Sequence, residues 1–189
     1  MRSKAVLIAI GVSEEGIREV IGFDTAESES ETSWNDFFKS LKERGLNAVD
    51  IIVSDAHKGL TNAIIRQFQG STWQRYQTHF SRNVLDVCPP RLQPMLKERL
   101  RSLYDAPTVD MARTILHEII DDYEDTAPKI ISVLEEGFDD VTAVLSLPMK
   151  YRKRLRTSNC IERMNQEIRR RERVIRIFPN EKSLNRLMG

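Results

Sequence analysis

Every strand signal in this 189-residue sequence lies before residue 81, and from there to residue 147 the chain shows only helical periodicity. A sheet therefore has to be assembled from the early segments, with a helical body following it. Ala5-Val6-Leu7-Ile8-Ala9-Ile10-Gly11-Val12 is β-rich and stops at the turn signal Ser13-Glu14-Glu15-Gly16. Residues 17–23 follow at hairpin distance, so the pair is predicted as an antiparallel meander. Within residues 30–44, Trp34, Phe37, Phe38 and Leu41 recur at helical spacing, and Gly45 is placed to end that helix. A strand ending near Val53, a short helix over 60–68 and a strand over 72–80 complete the first part. The order β-β-α-β-α-β predicts an α/β layered sheet with an antiparallel portion. Pro89-Pro90 then interrupts the chain, and residues 92–147 read as an all-helical insertion of three or four helices divided near Pro107, Pro128 and Pro148. A last helix is predicted from about Asn159 to about Arg173. The domain reading is a core over 1–88, the insertion over 89–156 and a returning helix with a basic tail over 157–189.

With 40% hydrophobic and 30% charged residues, the composition is that of a globular protein long enough to bury a core. The net charge of +1 conceals two opposed blocks. Residues 105–140 hold eleven acids against two bases, a net −9. Residues 150–176 hold eleven bases against three acids, a net +8. A basic block of that density fits a polyanion, and the field of the acidic block opposes one. Cys88 and Cys160 have no metal-ligand spacing and fit a reducing compartment. No apolar run approaches the length of a membrane span, so a cytoplasmic protein is expected.

The stretch Val49-Asp50-Ile51-Ile52-Val53-Ser54-Asp55-Ala56-His57 begins as a buried strand and ends in an acid and a histidine. Asp55 thereby reaches the rim where open α/β sheets bind ligands. Alternatively, Ser54 or Asp55 caps the following helix. His57 is either a polar loop residue or a supporting group. Further on, Ile161, Met164 and Ile168 form a narrow apolar stripe with Glu162 beside it, and Asn159 with Glu162 also approximates a capping box. Glu167 with Arg171 reads as a surface pair. An acid at a strand end and another on a late basic helix match the oxygen ligands that two-metal phosphoryl transfer needs, a site that normally has a third acid.

Several long motifs in fixed order resemble the mutator-type transposases of bacterial insertion sequences. They are Ser3 through Val12, Ser28-Glu29-Ser30-Glu31-Thr32-Ser33-Trp34, Val53 through Leu60, Trp73-Gln74-Arg75 with His79-Phe80-Ser81-Arg82-Asn83, and Thr157-Ser158-Asn159 through Glu162-Arg163-Asn165 to Arg176-Ile177-Phe178-Pro179-Asn180. The resemblance covers essentially the whole chain. It implies a ribonuclease-H-like mixed sheet interrupted by a helical insertion before the last catalytic helix. It also implies an Asp, Asp, Glu triad holding two Mg²⁺ or Mn²⁺ ions that cut element ends and join them to target DNA. Asp55 is similar to the second aspartate and Glu162 to the glutamate, making both metal ligands and catalytic residues; His79 ranks beside them in the active site. Arg163, Arg169, Arg170 and Arg173 would position phosphates. The expected partner is DNA, in a homo-oligomer when intact, with no membrane and no small-molecule substrate.

Two departures from the family pattern bear on activity. The family's first aspartate lies on a strand upstream of the segment resembling residues 3–12, so the chain is expected to be a fragment lacking that strand and one ligand, with little or no strand transfer. Asp24, nearest in sequence order, ends the wrong strand. The family also has Cys or Asp three residues before the histidine, where Tyr76 stands here; a phenol supplies neither thiolate nor carboxylate. Two other readings are a catalytically dead DNA-binding remnant that interferes with intact transposase, and a decaying reading frame with an exposed sheet edge.

Overall fold

The computed structural model describes residues 4–155 together with 163, 164, 166, 167 and 170. Among them the elements are β1 (Ala5–Val12), β2 (Arg18–Ala26), α1 (Glu31–Glu43), β3 (Ile51–Ser54), α2 (Lys58–Gln67), β4 (Thr72–Arg75), α3 (Gln77–Asp86), α4 (Gln93–Tyr104), α5 (Val109–Tyr123), α6 (Pro128–Thr142), a 3₁₀ turn (Ala143–Ser146) and α7 (Met149–Leu155). They fall into two compact units, one with β1, β2, α1 and α2, the other with β3, β4 and α3 through α7.

In the first unit β1 and β2 pair antiparallel around a turn in which Gly16 takes φ 83° and its N–H donates to Ser13 O at 2.8 Å. The register shifts between Ala9 and Ile10, leaving Ile21 as the extra residue of a bulge. α1 starts at a reciprocal cap: Ser33 N–H donates to Ser30 Oγ at 3.2 Å and Ser30 N–H to Ser33 Oγ at 2.9 Å. It ends as expected at Gly45, whose φ of 106° lets its N–H reach Lys42 O while Leu46 N–H reaches Leu41 O. The predicted stripe of Trp34, Phe37, Phe38 and Leu41 is buried. Gly22 of β2 meets that stripe so closely that a Cβ there would lie 2.5 Å from Leu41 Cδ2.

In the second unit, β3 and β4 form a parallel pair in the register Ile51 with Thr72 to Ser54 with Arg75. The helices share one core containing Phe80, Val84, Leu100, Ile119, Leu134 and Phe138, against which Ile51 of β3 also packs. The helical stretch after β4 divides where its prolines stand. Pro107 lies in the link before α5, Pro128 opens α6, and Pro148 precedes α7. α5 is capped by Thr108, whose Oγ1 accepts from Met111 N–H at 3.2 Å.

The chain is mixed α/β, but two expectations change. Strand pairing covers only Thr72–Arg75, and Gln77–Asp86 is helix, so His79 stands on a helix and not on a strand. Phe80 and Val84 are one helical turn apart and both buried, and that period wins over the local β propensity of Tyr76 and Thr78. In addition, the described strands form two separate two-stranded pairs instead of one mixed sheet. A tight hairpin joins β1 to β2 at low closure entropy, and a short crossover through α2 joins β3 to β4.

α6 shows how closely the second unit is packed. A Cβ on Gly137 would lie 2.2 Å from Cε2 of Phe80. Ala replacing Gly in a helix interior ordinarily stabilises by up to ~1 kcal/mol. Here overpacking dominates, and Gly137→Ala is expected to lose about 1–3 kcal/mol in urea unfolding. Phe80→Leu in the same chain should recover part of that loss; a stabilised Gly137→Ala would contradict the contact.

Candidate active site

Because β3 and β4 run parallel, their carboxyl ends lie side by side, and the residues just past each end are neighbours. Asp55 follows β3. His79 lies in the first turn of α3, which begins immediately after β4. The last pair is closed by Tyr76 N–H, which donates to Ser54 O at 2.9 Å. Asp55 Oδ1 meets Nδ1 of His79. That oxygen is shut away from solvent, whereas the Asp55 side chain as a whole is 48% exposed and His79 35%. One carboxylate oxygen is thus turned inward to the imidazole, and the rest of the group is reachable from outside.

Three surrounding contacts hold this corner. The Tyr76 ring is buried and meets the His79 ring edge-on at 5.6 Å between centroids. Trp73 Nε1 donates to Ser54 Oγ at 2.9 Å, and the Ser54 hydroxyl donates to Asp55 O at 2.8 Å. With its amide turned to satisfy both neighbours, Asn83 donates to His79 O at 3.1 Å and accepts from Arg75 Nη2 at 2.8 Å. Arg75 lies over the Phe80 ring at 5.0 Å. Beneath, Tyr104 bonds Ser81 at 2.8 Å, and burial pushes its phenol up to about 12.

The capping alternative for Asp55 is removed. α2 takes His57 as its N-cap residue, with no side-chain cap bond, and Ser54 Oγ is engaged with Trp73 and Asp55 instead. His57 is exposed, and its carbonyl accepts from Thr61 N–H at 2.9 Å. Asp24 is exposed on β2 and accepts from Thr25 N–H at 2.7 Å. Glu162, Arg169 and Arg173 lie outside the described residues, as do Asn159 and Arg171. Arg163 is helical and exposed. Arg170 donates twice to Glu167 at 2.7 Å, so Glu167 bonds at i+3 to Arg170. Of the predicted site, the structure therefore brings Asp55 and His79 together. The sequence offered Ser54 only as a helix cap and gave Trp73 no contact with it; no local signal joins the two, because the indole reaches Ser54 from 19 residues away.

The sequence model described as "Transposase, Mutator family" matches residues 1–189. The chain belongs to the mutator family of transposases. It is 42% identical over 99% of its length to the transposase for insertion sequence element IS256 in transposon Tn4001 of Staphylococcus aureus, and covers 48% of that protein. It is 39% identical over 98% of its length to the transposase for ISRM5 of Rhizobium meliloti, covering 47% of it. With the transposase for IS1081 of Mycobacterium tuberculosis it shares 34% identity over 97% of its length, covering 44% of that relative. The chain spans about half the length of the curated relatives it matches. No described helix is long and apolar enough to cross a membrane.

Proposed function

We propose that this mutator-family chain supplies part of a ribonuclease-H-like active site that cuts and joins DNA by Mg²⁺- or Mn²⁺-dependent phosphoryl transfer, with Asp55 as a cation ligand. The observation that carries the reading is the half-exposed Asp55 carboxylate at the carboxyl ends of two parallel strands, where it caps no helix.

The donor set fits a hard divalent cation in part. Carboxylate oxygen is the preferred donor type for Mg²⁺, and Asp55 offers one with an outward-facing portion. Among the described residues no three His, Cys, Asp or Glu groups gather into a metal site. Further carboxylate donors have to come from elsewhere, and Glu162, on the basic segment resembling the family's last catalytic helix, is the assigned one. Divalent cations supply activation of the attacking oxygen and stabilisation of the leaving oxygen in phosphodiester chemistry. Asp55 holds negative charge at the rim, and His79 orients it by engaging Oδ1 from the first turn of α3. Arg163, Arg169 and Arg173 contact DNA phosphates, and Arg170 does so in exchange for Glu167. The product 3′-hydroxyl of hydrolysis then serves as the nucleophile of strand transfer.

Fe²⁺ with hydrogen peroxide as oxidant and ascorbate to recycle the iron, substituting for Mg²⁺, should cleave the polypeptide beside Asp55 and beside Glu162, and excess Mg²⁺ should suppress both cuts. Cleavage confined to other segments would remove Asp55 from the cation site. The net +8 of residues 150–176 also favours a DNA-binding protein without chemistry. Both readings require DNA affinity that falls steeply with salt; cation-directed cleavage at Asp55 separates them.

A further inference from the structure

We propose that Trp73 and Ser54 are positioning residues for Asp55, forming a side-chain strut that fixes the end of β3 where the carboxylate departs. The proposal rests on Asp55 as a cation ligand.

β3 and β4 pair over four residues each, too short a ladder to hold the strand end rigidly by backbone bonds alone. Asp55 stands one residue past that ladder. Ser54, by contrast, is fixed at three points. Its carbonyl accepts from Tyr76 N–H, its Oγ accepts from Trp73 Nε1, and its single hydroxyl proton goes to Asp55 O. The indole N–H can only donate and Ser54 has one proton, so the direction of the chain Trp73 to Ser54 to Asp55 is fixed by chemistry. Ser54 is 6% exposed, and water competes poorly for these bonds.

Register explains why a tryptophan is needed. Trp73 is paired with Ile52, and Ile52 and Ser54 share one face of the strand, so the indole must reach forward by one strand repeat to meet the hydroxyl. The adjacent residue Gln74 points to the opposite face and is committed to α6. One face of β4 therefore secures the fold and the other secures the Asp55 backbone.

The test is Mn²⁺ binding to the whole chain, followed by the electron paramagnetic resonance signal of free Mn²⁺ well below the melting midpoint, with circular dichroism checking the fold. Ser54→Ala and Trp73→Phe are each expected to weaken binding about tenfold, the lower end of the effect of losing a supporting partner around a metal ligand. Ser54→Thr keeps the hydroxyl and should stay near wild type. The double variant should be little weaker than either single one, because both break the same strut. A purely structural role would lower the melting midpoint and leave affinity unchanged. Wild-type affinity in folded Ser54→Ala and Trp73→Phe, with binding lost in Asp55→Asn, would overturn the strut and leave the cation reading standing. Identical Mn²⁺ binding in wild type and Asp55→Asn, or none in either, would overturn both.

Discussion

Asp55→Asn is expected to weaken Mn²⁺ binding by more than about a hundredfold, exceeding the ~10–100-fold typical of losing a group that only supports a metal ligand. Asparagine keeps the shape of the side chain and an oxygen that can face His79 Nδ1, so the contact at the strand end survives. What disappears is the negative charge. The fold should hardly respond: the side chain is half exposed and caps no helix, and a surface change of that kind stays within about 0.5 kcal/mol. Asp24→Asn is the matched control, an exposed carboxylate on β2 that accepts from the next backbone N–H in sequence. Mn²⁺ affinity read from the paramagnetic signal of the free ion, together with a urea melt of each variant, separates charge loss at the site from charge loss anywhere. Unchanged Mn²⁺ affinity in Asp55→Asn would end its assignment as a ligand.

The largest effect on stability is expected at Gln74. This residue is fully buried in β4, and its amide is used at both ends. Oε1 accepts from Val144 N–H at 2.7 Å, while Nε2 donates to Val141 O at 2.9 Å and to Arg75 O at 2.8 Å. Val141 lies in the last turn of α6 and Val144 in the 3₁₀ turn that follows, where backbone groups lack intrahelical partners. Gln74→Leu fills similar volume with no polar atom. It strands a buried N–H at Val144 and removes a donor from two carbonyls, each such loss costing about 1–3 kcal/mol. A total of about 3 kcal/mol is expected in denaturant unfolding. Gln77→Leu should cost less, because Gln77 donates through Nε2 to Val141 O, an acceptor Gln74 also serves. A Gln74→Leu loss below about 1 kcal/mol would show that the network is dispensable.

The two substitutions act on consecutive parts of one construction. Gln74 ties β4 to the end of α6, β4 aligns with β3 in parallel register, and the aligned strand ends place Asp55 next to His79. Loss of the Gln74 network should therefore lower both stability and cation affinity, whereas loss of Asp55 should lower affinity alone.

The amphipathic stripe of α1, its stop at Gly45, the β1–β2 hairpin and the divisions at Pro107, Pro128 and Pro148 were legible in the sequence. Each depends on a local period or on one residue with restricted dihedrals, and such signals travel with the chain. The end of β4 was not legible. Residues 72–80 carry enough β-forming residues to read as one strand, but pairing stops at Arg75, where β3 also stops, and Phe80 with Val84 then finds the helical core. That boundary is set by a partner segment that local composition does not reveal.

By itself, then, the sequence determined the first hairpin, α1 and the proline divisions, the family, the opposed charge blocks and the choice of Asp55 and His79 as residues of interest. The tertiary structure decided that those two side chains touch, that neither Ser54 nor Asp55 caps α2, and that Trp73 and Gln74, adjacent in sequence, serve opposite faces of one strand. The physical reason is that a residue's type fixes what it can donate or accept, while strand register and core packing between distant segments fix which partner it finds.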